Sequence, residues 1–171
     1  MIEFLWTTNT SLISKTIRWG LDEDCSHFAI RFGDIVFQSY NGRVREDSYW
    51  DFTKKNKIIH RIRPKSIPNK IIDEIHTKLR KVIGNSKYDF LAIFYWTWRG
   101  ILKKIFNRPI PRRNLWGSRS HYYCVEVVIP IQNELKKYFG VDLNGKDVEM
   151  LSPHMFYELI KDSKYVRNIR G

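Results

Sequence analysis

The chain has 171 residues, 43% of them hydrophobic and 15% aromatic, which is enough to bury the core of one domain and too apolar for a disordered chain. A formal charge of +12 suits a polyanionic neighbour (nucleic acid, an anionic membrane surface, an acidic wall polymer) without choosing among them. Two cysteines are too few for a disulfide scaffold, and no run reaches the ~18 apolar residues of a membrane span.

The first residues, MIEFLWTTNTSLISKTIRW, carry Glu3 and no uninterrupted apolar core, so they do not read as a signal peptide. The expectation is a cytoplasmic or virion-associated protein, and the richness in lysine, isoleucine and asparagine hints at a phage or bacterial source. No repeat or low-complexity linker divides the chain, so residues 1–171 are expected to form a single domain. HFAIRFGDIVFQSY at 27–40 reads as two short strands around Gly33-Asp34, a Gly-X pair of the type II′ hairpin kind. A third strand is expected at 58–63, IIHRIR, from its alternation.

Pro68 opens a helix whose residues Ile71, Ile72, Ile75, Leu79, Val82 and Ile83 fall on one stripe, with Gly84 as the stop. A second helix is expected over 89–106, apolar and then basic, followed by a loop over 107–120, NRPIPRRNLWGSRS. Cys124 to about Phe139 reads as a third helix, bent by Pro130 and ended by Gly140. The last helix follows Ser152-Pro153, where serine caps and proline takes the first helical position. Strands followed by helices predict an α+β fold, with a small antiparallel sheet packed against the helix that carries Cys124.

The hairpin makes a geometric prediction. With Gly33-Asp34 as the two-residue loop, paired residue numbers sum to 67, so His27 faces Tyr40 and Ala29 faces Gln38. Gln38 is then a diagonal neighbour of His27 on the same face, roughly 7 Å away between backbones. A glutamine oxygen holding one imidazole nitrogen while the other points outward is the base-and-orienter half of a catalytic triad. A histidine satisfied at a strand end, or a register slipped by one residue, would give the pair no such meaning. Cys124 offers the missing nucleophile. A helix start favours thiolate through its unsatisfied N–H groups and macrodipole, and supplies donors to an oxyanion. A buried structural thiol is the competing reading.

Four motifs in order resemble those of the circularly permuted NlpC/P60-like hydrolases, papain-like enzymes of the YaeF/YiiX type that are distantly similar to lecithin–retinol acyltransferase. DCSHFAIRFGDIVFQS resembles the family's histidine strand and hairpin, and GNSKYDF at 84–90 resembles its GxxYD motif. YYCVEVV resembles its cysteine helix, with Glu126 at the glutamate position, and LSPHMFYEL at 151–159 resembles the start of its last helix. The resemblance implies a papain-like thiol hydrolase or acyltransferase, without metal or cofactor, acting on an amide or ester in a peptide, wall fragment or lipid. It makes Cys124 the nucleophile, His27 the base and then the acid, and Gln38 the residue that orients His27. Gln38 departs from the usual glutamate or histidine and stabilises imidazolium less than a carboxylate would. Val125 departs from the usual serine. Tyr88, Tyr123 and Tyr40 are candidates for lining the site or the oxyanion, and simple packing explains each tyrosine equally well.

Two other readings compete. Cys25, Cys124 and His121 suggest a metal site, but no CxxC or HxxxH spacing supports one, so no metal is expected. Cys25 and Cys124 would alternatively pair on oxidation and silence an enzyme. Over residues 99–119, Arg99, Lys103, Lys104, Arg108, Arg112, Arg113 and Arg119 lie among Phe106 and Trp116, and no acidic residue occurs between Phe90 and Val125. That pattern fits a basic module, with a degenerate active site, that binds nucleic acid or an anionic surface.

Overall fold

In the computed structural model, the described residues are 1–40, 43–83, 87, 88, 98, 101, 102, 104–106, 121, 122, 124–143, 148 and 151–169, with the side chains of residues 40, 87, 88, 121 and 122 excepted. In chain order the elements begin with β1 (Ile2–Thr8), α1 (Leu12–Leu21), β2 (His27–Phe32), β3 (Ile35–Tyr40) and β4 (Arg43–Ser48). They continue with α2 (Tyr49–Lys55), β5 (Lys57–Pro64), α3 (Asn69–Arg80), β6 (Lys87–Tyr88) and β7 (His121–Tyr122). A helical run over 126–139, α4 (Pro153–Ile160) and β8 (Val166–Asn168) complete the chain. Among the described residues the strands form one eight-stranded sheet in the order β7-β6-β4-β3-β2-β1-β5-β8. Neighbours are antiparallel except β6 and β7, which run parallel.

The fold is α+β, as the pattern of elements predicts, but the sheet is larger than expected and α1 and α2 interrupt its strands. β1 explains part of the difference. Every residue of IEFLWTT is buried, so the strand shows no wet face and no clean alternation. Phe4 and Trp6 enter the main core, whereas Leu5 joins Ala29, Val36 and Phe52 in a second cluster under α2. Glu3, also fully buried, is held by Arg31 at 2.8 Å and Arg63 at 2.5 Å.

α1 is capped by Ser11, whose side chain accepts from the Ser14 N–H, and it ends at Asp22 in the left-handed region, φ 62°. That reversal leads Glu23, Asp24 and Cys25 into β2. Ile75 and Leu79 of α3 are fully buried, and Ile71, Ile72, Val82 and Ile83 pack at their margins, the stripe expected; Gly84 lies outside the described residues. The helix expected from Cys124 is different in detail. Cys124 and Val125 form a turn, and winding starts at Glu126 as a tight 3₁₀ stretch to Ile131, with one α-helical turn and one π-helical turn after it. Pro130 has no N–H to give to residue 126 and crowds the turn before it, which prevents a regular helix there. Gly140, φ 70°, then closes the run.

α4 begins as predicted, with Ser152 accepting from the Met155 N–H and Pro153 at the first position. Trp6 Nε1 donates to the Pro153 carbonyl at 2.7 Å, which fastens α4 to β1. The rings of Phe4 and Phe139 stack at 4.3 Å between centroids, fastening the end of the 126–139 run to the same strand.

Candidate functional site

Gly33 has φ 55° and Asp34 has no positive φ, the backbone of a type II′ turn. The register follows: Phe32 pairs with Ile35 and Ala29 with Gln38. Pairing between β2 and β3 runs from Phe32–Ile35 to Ala29–Gln38, while His27 pairs with Thr7 of β1. His27 Nε2 lies 2.8 Å from Gln38 Oε1, with both side chains buried.

Behind this pair stands a carboxylate. Gln38 Nε2 donates to Asp47 Oδ2 at 2.5 Å, and Arg45 Nε donates to the same oxygen at 2.8 Å. An ionised carboxylate only accepts, so the glutamine NH₂ must face Asp47 and its carbonyl oxygen must face His27. The hydrogen between His27 and Gln38 therefore belongs to Nε2, and Nδ1 of the neutral ring carries the lone pair. Asp47 thus sets the histidine tautomer from two residues away.

Burial pushes the His27 pKa down to about 4; the Gln38 bond opposes the shift and the Arg45 charge adds to it. The ring is neutral at neutral pH. The Cys124 thiol is 6% exposed. Burial pushes it up to about 12, against backbone hydrogen bonds from Phe28 and Val125 that favour thiolate, and Glu126 adds to the rise. The expected stabilised thiolate is therefore corrected. Cys124 precedes the winding rather than lying inside it, and loss of water outweighs the N–H groups that reach it. The bond with Phe28 places the thiol against β2 at the residue that follows His27.

The geometry brings together His27, Gln38, Asp47 and Arg45. Tyr40 and Tyr88 lie in β3 and β6, and their side chains, like the whole of Tyr123, fall outside the described residues, as do most of GNSKYDF and of the basic stretch 99–119. Cys25 and Cys124 are both buried free thiols. The sequence reading missed Asp47 and Arg45. Their signal was the alternation in RVREDS, which places residues 45 and 47 on one face, but only the pairing of Val36 with Asp47 and Gln38 with Arg45 turns that face toward Gln38. The reading also missed a second convergence, of Asp24, His60 and His154, in which His60 Nε2 lies 2.7 Å and His154 Nδ1 3.1 Å from the Asp24 carboxylate.

No family model matches the chain, and no curated protein matches it. Among solved structures, the crystal structure of metalloprotein YiiX from Escherichia coli O157:H7 (DUF1105) has a TM-score of 0.58 to this one at 16% sequence identity, covering 98% of this chain and 94% of that chain. At this identity the likeness shows a shared fold, in keeping with the α+β class expected from the order of the elements. Among the described residues, no helix is long and apolar enough to cross a membrane.

Proposed function

We propose that the protein is a papain-like thiol hydrolase or acyltransferase acting on an amide or ester, with Cys124 as nucleophile, His27 as base and then acid, and Gln38 as the residue that orients His27. The observation that carries this reading is the 2.8 Å bond between His27 Nε2 and Gln38 Oε1, with Asp47 fixing the amide. It leaves Nδ1 as the basic nitrogen of a ring at the start of β2.

A neutral thiol and a neutral imidazole define the chemistry. The proton passes from Cys124 Sγ to His27 Nδ1 as sulfur attacks the carbonyl carbon, so the base acts in the step itself rather than through a preformed ion pair. Collapse of the tetrahedral adduct breaks the bond to the amine or alcohol, which leaves with the His27 proton. The thioester on Cys124 then passes its acyl group to water or to another acceptor. Gln38 can accept from the imidazolium but lends it no full charge, and Asp47 fixes the amide while offsetting the Arg45 charge beside it.

The test is acylation of the folded protein with p-nitrophenyl acetate, read by intact mass and peptide mapping. The expected result is one acetyl group on Cys124, lost in Cys124→Ala and strongly slowed in His27→Ala. Acetylation of lysines alone, or a Cys124 that reacts only after unfolding, would overturn the reading.

A further inference from the structure

We propose that Asp24, Cys25 and His154 form a binding site for a zinc-like divalent cation, supported from behind by His60 and Glu158. The site stands apart from the hydrolase reading and uses none of its residues.

The three side chains come from two places that the fold brings together. Asp24 and Cys25 lie in the turn between α1 and β2, which follows the left-handed Asp22. His154 is the second residue of α4, whose start is fixed by the Ser152 cap. One ligand atom from each residue, a carboxylate oxygen, the thiol sulfur and an imidazole nitrogen, lies within 4.8 Å of the other two. The Asp24 Oδ1 to His154 Nδ1 distance is 3.1 Å. A tetrahedral zinc with bonds of about 2.0–2.3 Å sets its ligand atoms roughly 3.3–3.7 Å apart. The carboxylate and imidazole are thus within about 0.2 Å of ligand spacing, and the thiol has at most about 1–1.5 Å to close.

The second layer is what distinguishes this cluster from a surface ion pair. His60 Nε2 holds the other oxygen of Asp24 at 2.7 Å, leaving Oδ1 turned toward the site. The His60 ring is itself held flat against Tyr157, centroids 3.9 Å apart and 10° between planes. His154 presents Nδ1 to the cluster while its Nε2 faces Glu158 Oε1 at 3.8 Å. A carboxylate behind a ligating imidazole, and a donor behind a ligating carboxylate, are the usual outer partners of a zinc ligand set. Neither explains why a fully buried thiol should lie at the same point.

The donor set selects the ion. Sulfur with imidazole nitrogen and one carboxylate suits zinc and its borderline-soft neighbours and not magnesium or calcium, which take oxygen. Asp24 and His154 side chains are 46% and 33% exposed, so the site opens to solvent on one side. That side gives the cation its path in and leaves a fourth position to water. On binding, the Cys25 proton leaves to solvent and sulfur bonds the metal as thiolate. No local motif encodes the site, because Asp24 and Cys25 are about 130 residues from His154. A loaded site would tie the turn before His27 to α4.

Cobalt(II) titration of the chelator-stripped, reduced full-length protein tests this. The expected result is a thiolate-to-cobalt charge-transfer absorption that saturates at one equivalent and survives Cys124→Ser. Cys25→Ser abolishes the band, and His154→Ala and Asp24→Asn each weaken cobalt binding about tenfold or more, with far-UV circular dichroism confirming the fold. Zinc raises the melting temperature of the parent and not of Cys25→Ser. Absence of a charge-transfer band in the folded parent, or a band that persists in Cys25→Ser and vanishes in Cys124→Ser, would overturn the site.

Discussion

Replacing Asp47 with alanine removes no atom that contacts His27, yet it should slow acyl transfer markedly. Two effects follow from the geometry. Without its acceptor, the Gln38 amide no longer has one preferred orientation, and the flipped amide would hold His27 with the hydrogen on Nδ1, the wrong tautomer. A charge-assisted hydrogen bond contributes about 1.5–3 kcal/mol, so its loss takes the wrong tautomer from a few per cent to about half, a rate effect of only about twofold. The larger effect is electrostatic. Asp47 neutralises Arg45 at 2.8 Å, and Arg45 already opposes protonation of His27. Two unit charges about 7 Å apart at an effective dielectric constant of about 20 interact by roughly 2 kcal/mol. Taking the Asp47 carboxylate away from Arg45 as imidazolium forms should therefore slow acylation about 30-fold. The double variant Arg45→Ala/Asp47→Ala removes both charges and should recover to within a few-fold of the parent. The assay is single-turnover acetylation of Cys124, with ¹⁵N shifts of the His27 ring reporting the tautomer independently of activity. A folded Asp47→Ala protein with parent rate and parent tautomer, or a double variant as slow as the single one, would refute the reasoning.

Buried His27, with its pKa lowered to about 4, makes stability pH-dependent. Between the unfolded value of about 6.5 and the folded value of about 4, the unfolded chain binds the extra proton. Stability therefore rises with pH through that window and falls by about 3 kcal/mol on acidification from 6.5 to 4. Urea unfolding across this range should show the slope in the parent and lose that part of it in His27→Gln; an identical slope in both would sink the assignment. Glu3→Ala leaves Arg31 and Arg63 without the carboxylate they share, and should cost about 3–5 kcal/mol. Glu3→Gln, which keeps an acceptor, should cost less, and equal losses in the two variants would contradict the pairing. Gly140→Ala places a Cβ against Ser163 Oγ and 2.6 Å from Tyr165 Cδ2 at φ 70°, so it should lower the melting temperature by several degrees, a loss of more than about 1 kcal/mol. A melting temperature at or above the parent's would refute the strain.

Local chemistry was legible where the chain is its own template. Gly33-Asp34 determined the turn, the turn determined the register, and the register put Gln38 within reach of His27. Ser152-Pro153 announced α4, and the isoleucine stripe announced α3. β1 was not legible, since a strand covered on both faces carries no alternation. The ionisation of Cys124 was misjudged for a related reason. Position relative to a helix start can be read from sequence, whereas burial depends on every element that closes over the thiol.

Sequence by itself thus determined the elements whose signals are confined to a few neighbouring residues: the hairpin, the capped last helix, the breaking effect of Pro130, and the pairing of an imidazole with an amide across one turn. Tertiary structure alone decided which way that amide points, because the carboxylate that orients it enters from the next strand. It also decided that thiol and imidazole rest neutral, because desolvation is a property of the assembled core. The meeting of Asp24 and Cys25 with His154 belongs to the same level. Spacing along a chain encodes a ligand set only when one turn or one helix presents it, and here packing of the last helix against β1 performs that task.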